Sequence, residues 1–291
     1  MPRLWIFSPL YFDVEPYLRL LRELRAAAPA VELKPVVVDD SAGLDPAVSG
    51  LPADVRVVVP PFNLGHQRAL VHGLRKLAAE IADDDFVVTL DGDGEDQPQD
   101  LPRLLAALPD GNLRKLALAA RTRRRETPAF KLLYLVFKRF FLLLTGTVVR
   151  SGNYAAYRGW VAKNVLFHPH FDLCYASSLL SLNLQIERVP CERGARYAGV
   201  SKMTYGKLLL HGFRMLMPFA DRIAVRGLVF GAVFVPGCLL AALWSALAGA
   251  PRWPWVFVAL GLFGSVALGT CTLLFAVFSQ TQGLSMARLR E

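Results

Sequence analysis

The sequence predicts an α/β domain followed by an apolar helical hairpin, and three observations support this prediction. Short β-rich runs alternate with amphipathic helical stretches over roughly the first two hundred residues. Clusters of polar residues follow several of these runs, as expected where parallel strands end at one edge of a sheet. Two long uncharged stretches then occupy residues 228–250 and 255–279.

The predicted α/β domain begins with an apolar strand at residues 4–8, and a helix at residues 15–28 follows it. This helix carries Leu18, Leu21 and Leu24 on one face, because the three leucines recur at helical spacing. The alternation of elements indicates a mainly parallel sheet. The remaining strands are predicted at residues 33–38, 55–59, 86–90, 116–120 and 186–189, and the remaining helices at residues 63–81 and 98–108.

Three carboxylates, those of Asp91, Asp93 and Glu95, follow an apolar strand. If the chain leaves this strand extended, the three side chains alternate in phase and point the same way. Like charges that converge repel each other unless a cation neutralises them, and oxygen ligands suit Mg²⁺ or Mn²⁺. A solvated acidic turn is the simpler alternative. The cluster is a stronger metal candidate because Asp39 and Asp40 end another predicted strand.

The two uncharged stretches predict membrane-spanning helices. Residues 228–250 would extend roughly 34 Å as a helix, which exceeds a hydrocarbon core of about 30 Å. Pro236 weakens a helix in water but is tolerated in a spanning one. Trp253 and Trp255 lie at the connection, where interfacial aromatic residues are common. The alternative is a buried hairpin of a soluble protein, but the remaining chain is too short to bury two such stretches.

The short connection at residues 251–254 makes the two stretches antiparallel, so that both flanks lie on one side of the membrane. Arginines are concentrated in these flanks, and the positive-inside rule therefore predicts a multi-pass protein of the cell (inner) membrane with the large N-terminal part and both termini in the cytoplasm. A signal peptide is not expected, because the apolar run after Arg3 is short and leads into acidic residues. The flanking arginines are Arg214, Arg222, Arg226, Arg288 and Arg290, against Arg252 in the connection.

Two further segments, residues 130–145 and 205–220, are apolar but contain basic side chains. Both are predicted to be helices that lie in the membrane interface, with their cations towards the headgroups. A core helix is the alternative for each segment. The predicted organisation is a cytoplasmic catalytic domain at residues 1–204, an amphipathic juxtamembrane helix at 205–227, two transmembrane helices within 228–279, and a cytoplasmic tail at 280–291.

The composition constrains the class of protein and its partners. Hydrophobic residues make up 54% of the chain and charged residues 20%, which excludes a disordered protein. Lys and Arg number 33 against 24 Asp and Glu, so the net charge of +9 predicts an anionic partner such as a phosphate or a lipid headgroup. No recognised nucleic-acid-binding motif accompanies the charge. The four cysteines lack metal or disulfide spacing, which indicates free thiols in a reducing compartment.

Five short motifs follow one another along the chain, at residues 8–13 (SPLYFD), 38–41 (VDDS), 63–70 (NLGHQRAL), 91–95 (DGDGE) and 196–202 (RYAGVSK). Their order resembles that of the family-2 glycosyltransferases, and within them the polyprenyl-phosphate glycosyltransferases, such as the dolichol-phosphate mannose synthases and bacterial lipid-linked glucosyl transferases. The family segments read V-P-x-Y-N-E, V-D-D-G-S, R-N-F-G-x-x-x-A-L, D-A-D-L-Q and R-x-x-G-x-S-K. The present chain departs from them at Phe12 and Glu95, and it lacks a Phe-Arg pair near residues 153–156.

The resemblance implies a GT-A, Rossmann-like domain that binds a UDP- or GDP-linked sugar across the strand ends. It also implies that Asp93 and Glu95, with Asp91 closer to the ribose or in a supporting position, hold Mg²⁺ or Mn²⁺ on the donor diphosphate. The nucleotide-sugar site implied by the resemblance comprises Pro9, Tyr11, Asp13, Asp39, Asp40 and Asp91.

Basic residues are implied to bind the phosphate groups of donor and acceptor. Arg121 would contact the acceptor phosphate, while Arg196, Ser201 and Lys202 would bind the diphosphate or the acceptor phosphate. The run of arginines at residues 123–125 is more simply a solvated or headgroup-contacting patch. The residues implied to be catalytic are Asp93, Arg121 and Arg196.

The implied reaction is an inverting transfer of one sugar to a polyprenyl phosphate, undecaprenyl or dolichyl, at the cytoplasmic membrane face. A phosphate acceptor is already an anionic nucleophile, so a strong general base is not required. The expected partners are the nucleotide sugar, the polyprenyl phosphate and the lipid bilayer, without nucleic acid and with a possible homo-oligomer. Alternatives are another lipid or glycan acceptor, or an inactive scaffold homologue. A processive polysaccharide synthase would instead carry a Q-x-x-R-W motif.

Overall fold

The structure divides into two compact units. The first comprises residues 1–132 and 149–218, and the second comprises residues 133–148 and 219–291. The computed structural model describes residues 2–109, 111–121, 128–199, 204–250 and 252–288.

Strands and helices occur close to the predicted positions. The strands are β1 (Leu4–Leu10), β2 (Leu33–Asp39), β3 (Arg56–Val58), β4 (Phe86–Thr89), β5 (Lys115–Arg121), β6 (Ser151–Arg158) and β7 (Gln185–Cys191). The helices are α1 (Val14–Ala27), α2 (His66–Leu77), α3 (Leu101–Ala106), α4 (Pro128–Thr145), α5 (Gly159–Asn164), α6 (Tyr175–Ser181), α7 (Tyr205–Leu216), α8 (Ala220–Leu247) and α9 (Trp253–Arg288).

Within the described part of the chain, seven strands form one sheet in the order β3-β2-β1-β4-β6-β5-β7. Strand β6 runs antiparallel to both of its neighbours, β4 and β5, whereas the other neighbouring pairs are parallel. The predicted α/β class with a mainly parallel sheet is confirmed. Strand β6 was not predicted, because its sequence SGNYAAYR lacks the β-branched residues that mark the other strands.

Strand β1 lies near the centre of the sheet and is buried along its whole length. On one face, Ile6 belongs to the same buried cluster as Tyr17 and Leu20 of α1. On the other face, Phe7 lies against Gly73 of α2. Burial on both faces explains why β1 reads as a continuous apolar run rather than as an alternating one.

The carboxyl ends of the parallel strands meet at one edge of the sheet. Leu10 at the end of β1 pairs with Asp39 at the end of β2. Arg121 at the end of β5 pairs with Cys191 at the end of β7, and β6 begins at Ser151 beside the end of β5. The polar clusters that follow the strands are therefore brought together at this edge.

The second unit contains the apolar helical hairpin that the sequence predicts. Helices α8 and α9 pack closely where glycine replaces a larger side chain: a β-carbon at Gly264 would lie 2.4 Å from the ring of Phe234. Two helical stretches, Gly206–Leu247 and Trp253–Phe278, are long and apolar enough to cross a membrane. Only 11% and 6% of their most apolar windows are buried, so their apolar side chains face outwards.

Helix α4 corresponds to the segment predicted at residues 130–145. Within the second unit, Arg226 donates a hydrogen bond to the carbonyl oxygen of Leu143 (2.7 Å), and Arg222 donates one to the hydroxyl of Thr147 (3.3 Å). These bonds tie the end of α4 to the start of α8. Exposed apolar side chains on α4 include Leu133, Leu135, Val136, Phe140, Leu142 and Leu143.

The buried carboxylate of Asp85 joins β1 to the loop that precedes β4. Its oxygens accept hydrogen bonds from the guanidinium of Arg3 (2.8 Å), the indole of Trp5 (2.9 Å) and the backbone N–H of Ala82 (2.9 Å). Burial raises the pKa of Asp85, but these hydrogen bonds outweigh it and hold the pKa below its ordinary value.

We expect Asp85→Asn to lower the free energy of unfolding by about 2 kcal/mol at pH 7, because it removes hydrogen bonds to a buried charge. A depressed native pKa stabilises the fold above the unfolded value of about 3.9 and loses this effect as the pH falls through the native pKa. The difference between wild type and variant, measured by chaotrope unfolding in detergent, should therefore be constant from pH 7 to about pH 5 and should shrink below about pH 4.

The matched control is Asp54→Asn, since Asp54 forms an exposed ion pair with Arg25 (2.6 Å). This control should change the stability by less than about 1 kcal/mol. A loss as large as that of Asp85→Asn would contradict the assignment.

Candidate active site

An acidic turn, residues 91–96 (DGDGED), follows β4 at the carboxyl edge of the sheet. The chain does not continue as an extended strand: β4 ends at Thr89, and Gly94 has a φ of +82°. The expected extended path, on which the three carboxylates would alternate in phase, is therefore wrong. Among the residues that the structure describes, no group of three or more His, Cys, Asp or Glu side chains is arranged to hold a metal ion.

The carboxylate of Asp91 lies against two hydrogen-bonding side chains, those of His66 and Asn153. Its Oδ1 lies 2.7 Å from Nε2 of His66, at the start of α2, and accepts a hydrogen bond from Asn153 of β6 (2.9 Å). Burial acts to raise the pKa of Asp91, but His66 and Asn153 hold it well below its ordinary value. Burial acts to lower the pKa of His66, but the charge of Asp91 raises it. The two groups therefore form an ion pair.

The next two carboxylates are paired with arginines. Nη2 of Arg196 lies 2.7 Å from Oδ2 of Asp93 and 3.9 Å from Oε2 of Glu95. Glu95 also forms an ion pair with Arg193. Burial and the charges of Asp91 and Glu95 raise the pKa of Asp93. Asp93 is therefore harder to ionise than a free aspartate, although Arg196 lies beside it.

A basic segment, residues 193–197 (RGARY), is docked on the acidic turn through the backbone. The N–H of Gly194 donates to the carbonyl of Glu95 (2.8 Å), and the N–H of Tyr197 donates to the carbonyl of Asp93 (2.9 Å). Asp96 and Arg193 form an isolated antiparallel bridge. These bonds fix the two segments in register, and the register brings the arginines to the carboxylates.

Tyr197 fastens the basic segment to the first helix. Its ring covers Gly94, where a β-carbon would lie 2.3 Å from it. Its hydroxyl donates to Oε2 of Glu23 (2.7 Å), and the guanidinium of Arg19 lies 4.0 Å from the ring centroid. Glu23 and Arg19 belong to α1, so the site is fixed to the core of the first unit.

Arg121, at the end of β5, is directed to a fourth carboxylate. Its Nη2 lies 3.3 Å from Oδ1 of the buried Asp96, and its guanidinium packs on Gly152. Burial and the charge of Asp91 raise the pKa of Asp96 to about 6, against the lowering effect of Arg121. Arg121 therefore lies at the predicted edge but is paired with an acidic residue of the turn.

Asp39 and Asp40 organise the loops at the end of β2. Asp39 accepts hydrogen bonds from the hydroxyl of Ser41 (2.6 Å) and the N–H of Gly43 (3.1 Å). Asp40 accepts from the N–H of Leu64 (2.7 Å), just before α2. Both carboxylates are buried, so their contacts hold the loop and the start of α2 in place.

The remaining predicted nucleotide-site residues lie around the end of β1. Pro9 is buried within β1, and Asp13 directly precedes α1. Tyr11 and Phe12 between them are exposed and pack edge to face, and Phe12 adopts a φ of +54°. The predicted phosphate ligands Ser201 and Lys202, and the arginine run at 123–125, lie outside the described residues.

Helix α7, an element of the first unit, lies beside this site. His211 is close enough to His66 and Asp91 for their charges to affect its pKa, which burial above all lowers. The opposite face of α7 is apolar and exposed: Leu209 is 75%, Leu210 51% and Phe213 56% accessible. One amphipathic helix therefore has His211 within electrostatic range of His66 and Asp91 on one side and presents leucine and phenylalanine on the other.

The structure adds site residues that were not predicted from the sequence. Two of them lie inside the segment at residues 63–70, and Arg193 lies three positions before Arg196. Several of these residues lie in or next to the sequence motifs, and this position could have marked them as candidates. Their partners could not be predicted, because the contacts depend on the antiparallel placement of β6 and on the docking of the basic segment. These residues are His66, Gln67, Asp96, Asn153, Arg193 and Tyr197.

Comparison with known proteins gives one family match. The family model described as "Glycosyl transferase family 2" matches residues 6–165, which is more than half of the chain. No curated protein matches.

Solved structures of similar architecture include glucosyl-3-phosphoglycerate synthase from Mycobacterium tuberculosis with Mn²⁺, uridine-diphosphate-glucose and phosphoglyceric acid (18% identity, 76% of this chain and 80% of that chain, TM-score 0.48). Mannosyl-3-phosphoglycerate synthase from Rubrobacter xylanophilus is 12% identical, over 78% of this chain and 75% of that chain, with a TM-score of 0.48. TarS 1–349 from S. aureus is 13% identical, over 92% of each chain, with a TM-score of 0.39.

We expect Gly94→Ala to destabilise the protein more than Gly43→Ala. Both glycines have a φ of +82°, so alanine is strained at each by about 1–2 kcal/mol. Only at Gly94 would the new methyl group strike the ring of Tyr197; at Gly43 the nearest atom is 3.7 Å away. Overpacking should lower the free energy of unfolding by a further 1–3 kcal/mol, roughly, at Gly94. Equal losses in chaotrope unfolding would show that Tyr197 does not lock the acidic turn.

Proposed function

The chain belongs to glycosyl transferase family 2, and from this premise we propose that it transfers one sugar, with inversion, from a UDP- or GDP-sugar to a polyprenyl phosphate. The fold agrees with the expectation from sequence: a mixed α/β sheet of the GT-A class, followed by an apolar helical hairpin. Donor and acceptor would meet at the carboxyl edge of the sheet, where ligands bind in open α/β folds.

The observation that carries the choice of acceptor is the position of α7. This helix has one side at the site region, through His211, and exposes Leu209, Leu210 and Phe213 on the other. Such a face is stable in a lipid interface and costly in water. A lipid whose phosphate reaches the site would therefore keep its apolar chain on the same side as α7.

The acidic turn fits a hard divalent cation in the chemistry of its donors. Carboxylate oxygens are suitable ligands, and Mg²⁺ commonly takes one or two carboxylates, with substrate phosphates and water completing its shell. Asp93 would be the principal ligand, with Glu95 or Asp91 as the second. When bound, the cation would neutralise the charge that develops on the departing nucleoside diphosphate.

The basic residues would bind the two phosphate-bearing substrates. Arg196 lies at the acidic turn and would contact the donor diphosphate, and Arg121 would face the acceptor phosphate. The acceptor oxygen is anionic near neutral pH and attacks the anomeric carbon without prior removal of a proton. The loops organised by Asp39 and Asp40, together with Tyr11, would surround the base and ribose.

We further propose that the protein is an inner-membrane, multi-pass enzyme whose catalytic domain and termini are cytoplasmic. The two candidate spans and the arginine-rich flanks support this orientation. The proposed organisation keeps the divisions at residues 1–204, 205–227, 228–279 and 280–291.

We expect Asp93→Asn to lower kcat by at least about 100-fold, because the change removes the principal carboxylate of the proposed cation site. In the wild type, EDTA should abolish turnover and added Mn²⁺ or Mg²⁺ should restore it. The rate is measured as glycosylated lipid by mass spectrometry, with Asp54→Asn as the control. Full turnover in EDTA would show that the reaction does not require a divalent cation.

A panel of donors and acceptors tests the acceptor class. Detergent-solubilised protein is incubated with UDP- and GDP-sugars and with undecaprenyl phosphate, dolichyl phosphate or 3-phosphoglycerate. We expect a polyprenyl-phosphate product and no glycosylated phosphoglycerate. Transfer to phosphoglycerate alone would overturn the proposed acceptor.

In the same assay, we expect the double change Leu210→Gln with Phe213→Gln to raise the KM for polyprenyl phosphate several-fold and to leave the KM for the donor unchanged. Phe167→Gln is the control, because Phe167 is also an exposed apolar side chain but lies in the loop after α5, beside Arg75 at the end of α2 that is far from His66. Equal effects of the two sets would mean that α7 does not serve the acceptor.

A further inference from the structure

We propose that Arg196 competes with the divalent cation for Asp93, and that the donor diphosphate relieves this competition by accepting the guanidinium. Cation and nucleotide then bind cooperatively, because each frees a group that the other requires. This inference rests on the proposed donor site and assigns Arg196 a role in the order and coupling of binding.

The geometry at Asp93 makes Arg196 and a cation compete for the same carboxylate. Oδ1 of Asp93 accepts the backbone N–H of Glu95 (2.9 Å), within the turn itself. Oδ2 is 2.7 Å from Nη2 of Arg196. A cation that binds Oδ2 on the side of Nη2 must displace the guanidinium, and a cation on the other lone pair is still repelled by the positive charge of Arg196 beside the same oxygen.

The neighbouring carboxylates do not offer an easier route. Asp91 is engaged by His66 and by the amide of Asn153. Glu95 is paired with Arg193. A cation approaching the turn thus meets carboxylates that already have partners, and Arg196 is the partner of the one that we place first in the cation shell.

Arg196 is suited to change partners without a change in the fold. The backbone on either side of it is fixed, by the Gly194–Glu95 and Tyr197–Asp93 hydrogen bonds. Its side chain is 22% exposed, so rotation about its own bonds is enough to move the guanidinium from Asp93 to a phosphate. A guanidinium matches two phosphate oxygens as well as it matches a carboxylate.

The charges predict the direction of the coupling. If the cation binds alone, Arg196 loses its carboxylate and gains nothing in return. If the diphosphate binds as well, the divalent cation replaces Arg196 as the partner of Asp93, and the diphosphate replaces Asp93 as the partner of Arg196. By linkage, the factor by which nucleotide tightens cation binding equals the factor by which the cation tightens nucleotide binding, and such factors are typically about 5- to 150-fold.

The test measures Mn²⁺ binding to the full chain in detergent, by the electron paramagnetic resonance signal of free Mn²⁺, first without nucleotide. We expect Arg196→Gln to bind Mn²⁺ about 10-fold more tightly than the wild type, although it removes a group of the active site. Arg188→Gln is the control, since it removes one positive charge from an exposed position on β7. It should leave the affinity unchanged.

A second set of titrations adds UDP or GDP. The wild type should gain Mn²⁺ affinity on addition of nucleotide, and Arg196→Gln should gain much less. Arg196→Lys retains a cation at Asp93 and should bind Mn²⁺ alone within about twofold of the wild type; tighter binding by this variant would contradict competition between charges.

Equal or weaker Mn²⁺ binding by folded Arg196→Gln, without nucleotide, would overturn the inference. Failure of both nucleotides to bind any variant would instead overturn the proposed function, and the titration with Mn²⁺ alone would still decide whether Arg196 competes with a cation. Thermal unfolding of each variant establishes that it is folded.

Discussion

The mutual neutralisation of the acidic turn and the basic segment is the interaction on which the candidate site depends. Four carboxylates lie within six residues after β4, and two of them, Asp93 and Asp96, are buried. Such a group is strongly unfavourable unless cations and hydrogen bonds compensate it. His66, Arg121, Arg193 and Arg196 supply those cations. Because they come from α2, β5 and the segment after β7, the charges also determine how distant parts of the first unit close around the turn.

The sequence predicted the elements well where the local pattern and the tertiary structure agree. Strands β1, β2 and β4 are apolar and buried, and the residues after them reach the same edge of the sheet, as their alternation with helices implied. Strand β6 was missed because alanine, glycine and asparagine give it no local strand signal. Its position between β4 and β5 is set by burial in the sheet, which a single sequence does not display.

The sequence predicted several residues of the candidate site, but it did not predict which side chains they contact. The order of motifs indicated Asp91, Asp93 and Arg196, but the carboxylates were expected to face one point. The turn at Gly94 and the docking of residues 193–197 instead place Asp93 and Glu95 against Arg193 and Arg196, while Asp91 lies against His66. These contacts join residues up to about a hundred positions apart, so spacing along the chain did not indicate them. The family match covers residues 6–165, which contain four of the five motifs but not the one at 196–202.

The hydrogen bond between Tyr197 and Glu23 joins residues 174 positions apart, and it has a consequence for biosynthesis. Chains emerge from the ribosome N-terminus first, at about 5–20 residues per second. The carboxylates at 91–96 are therefore made long before the arginines at 193 and 196 that neutralise them. Once Tyr197 has emerged and bonded to Glu23 of α1, the next helix to emerge is α7, which leads into the first apolar stretch. Closure of the candidate site and emergence of the apolar helices thus fall within the same few seconds of translation.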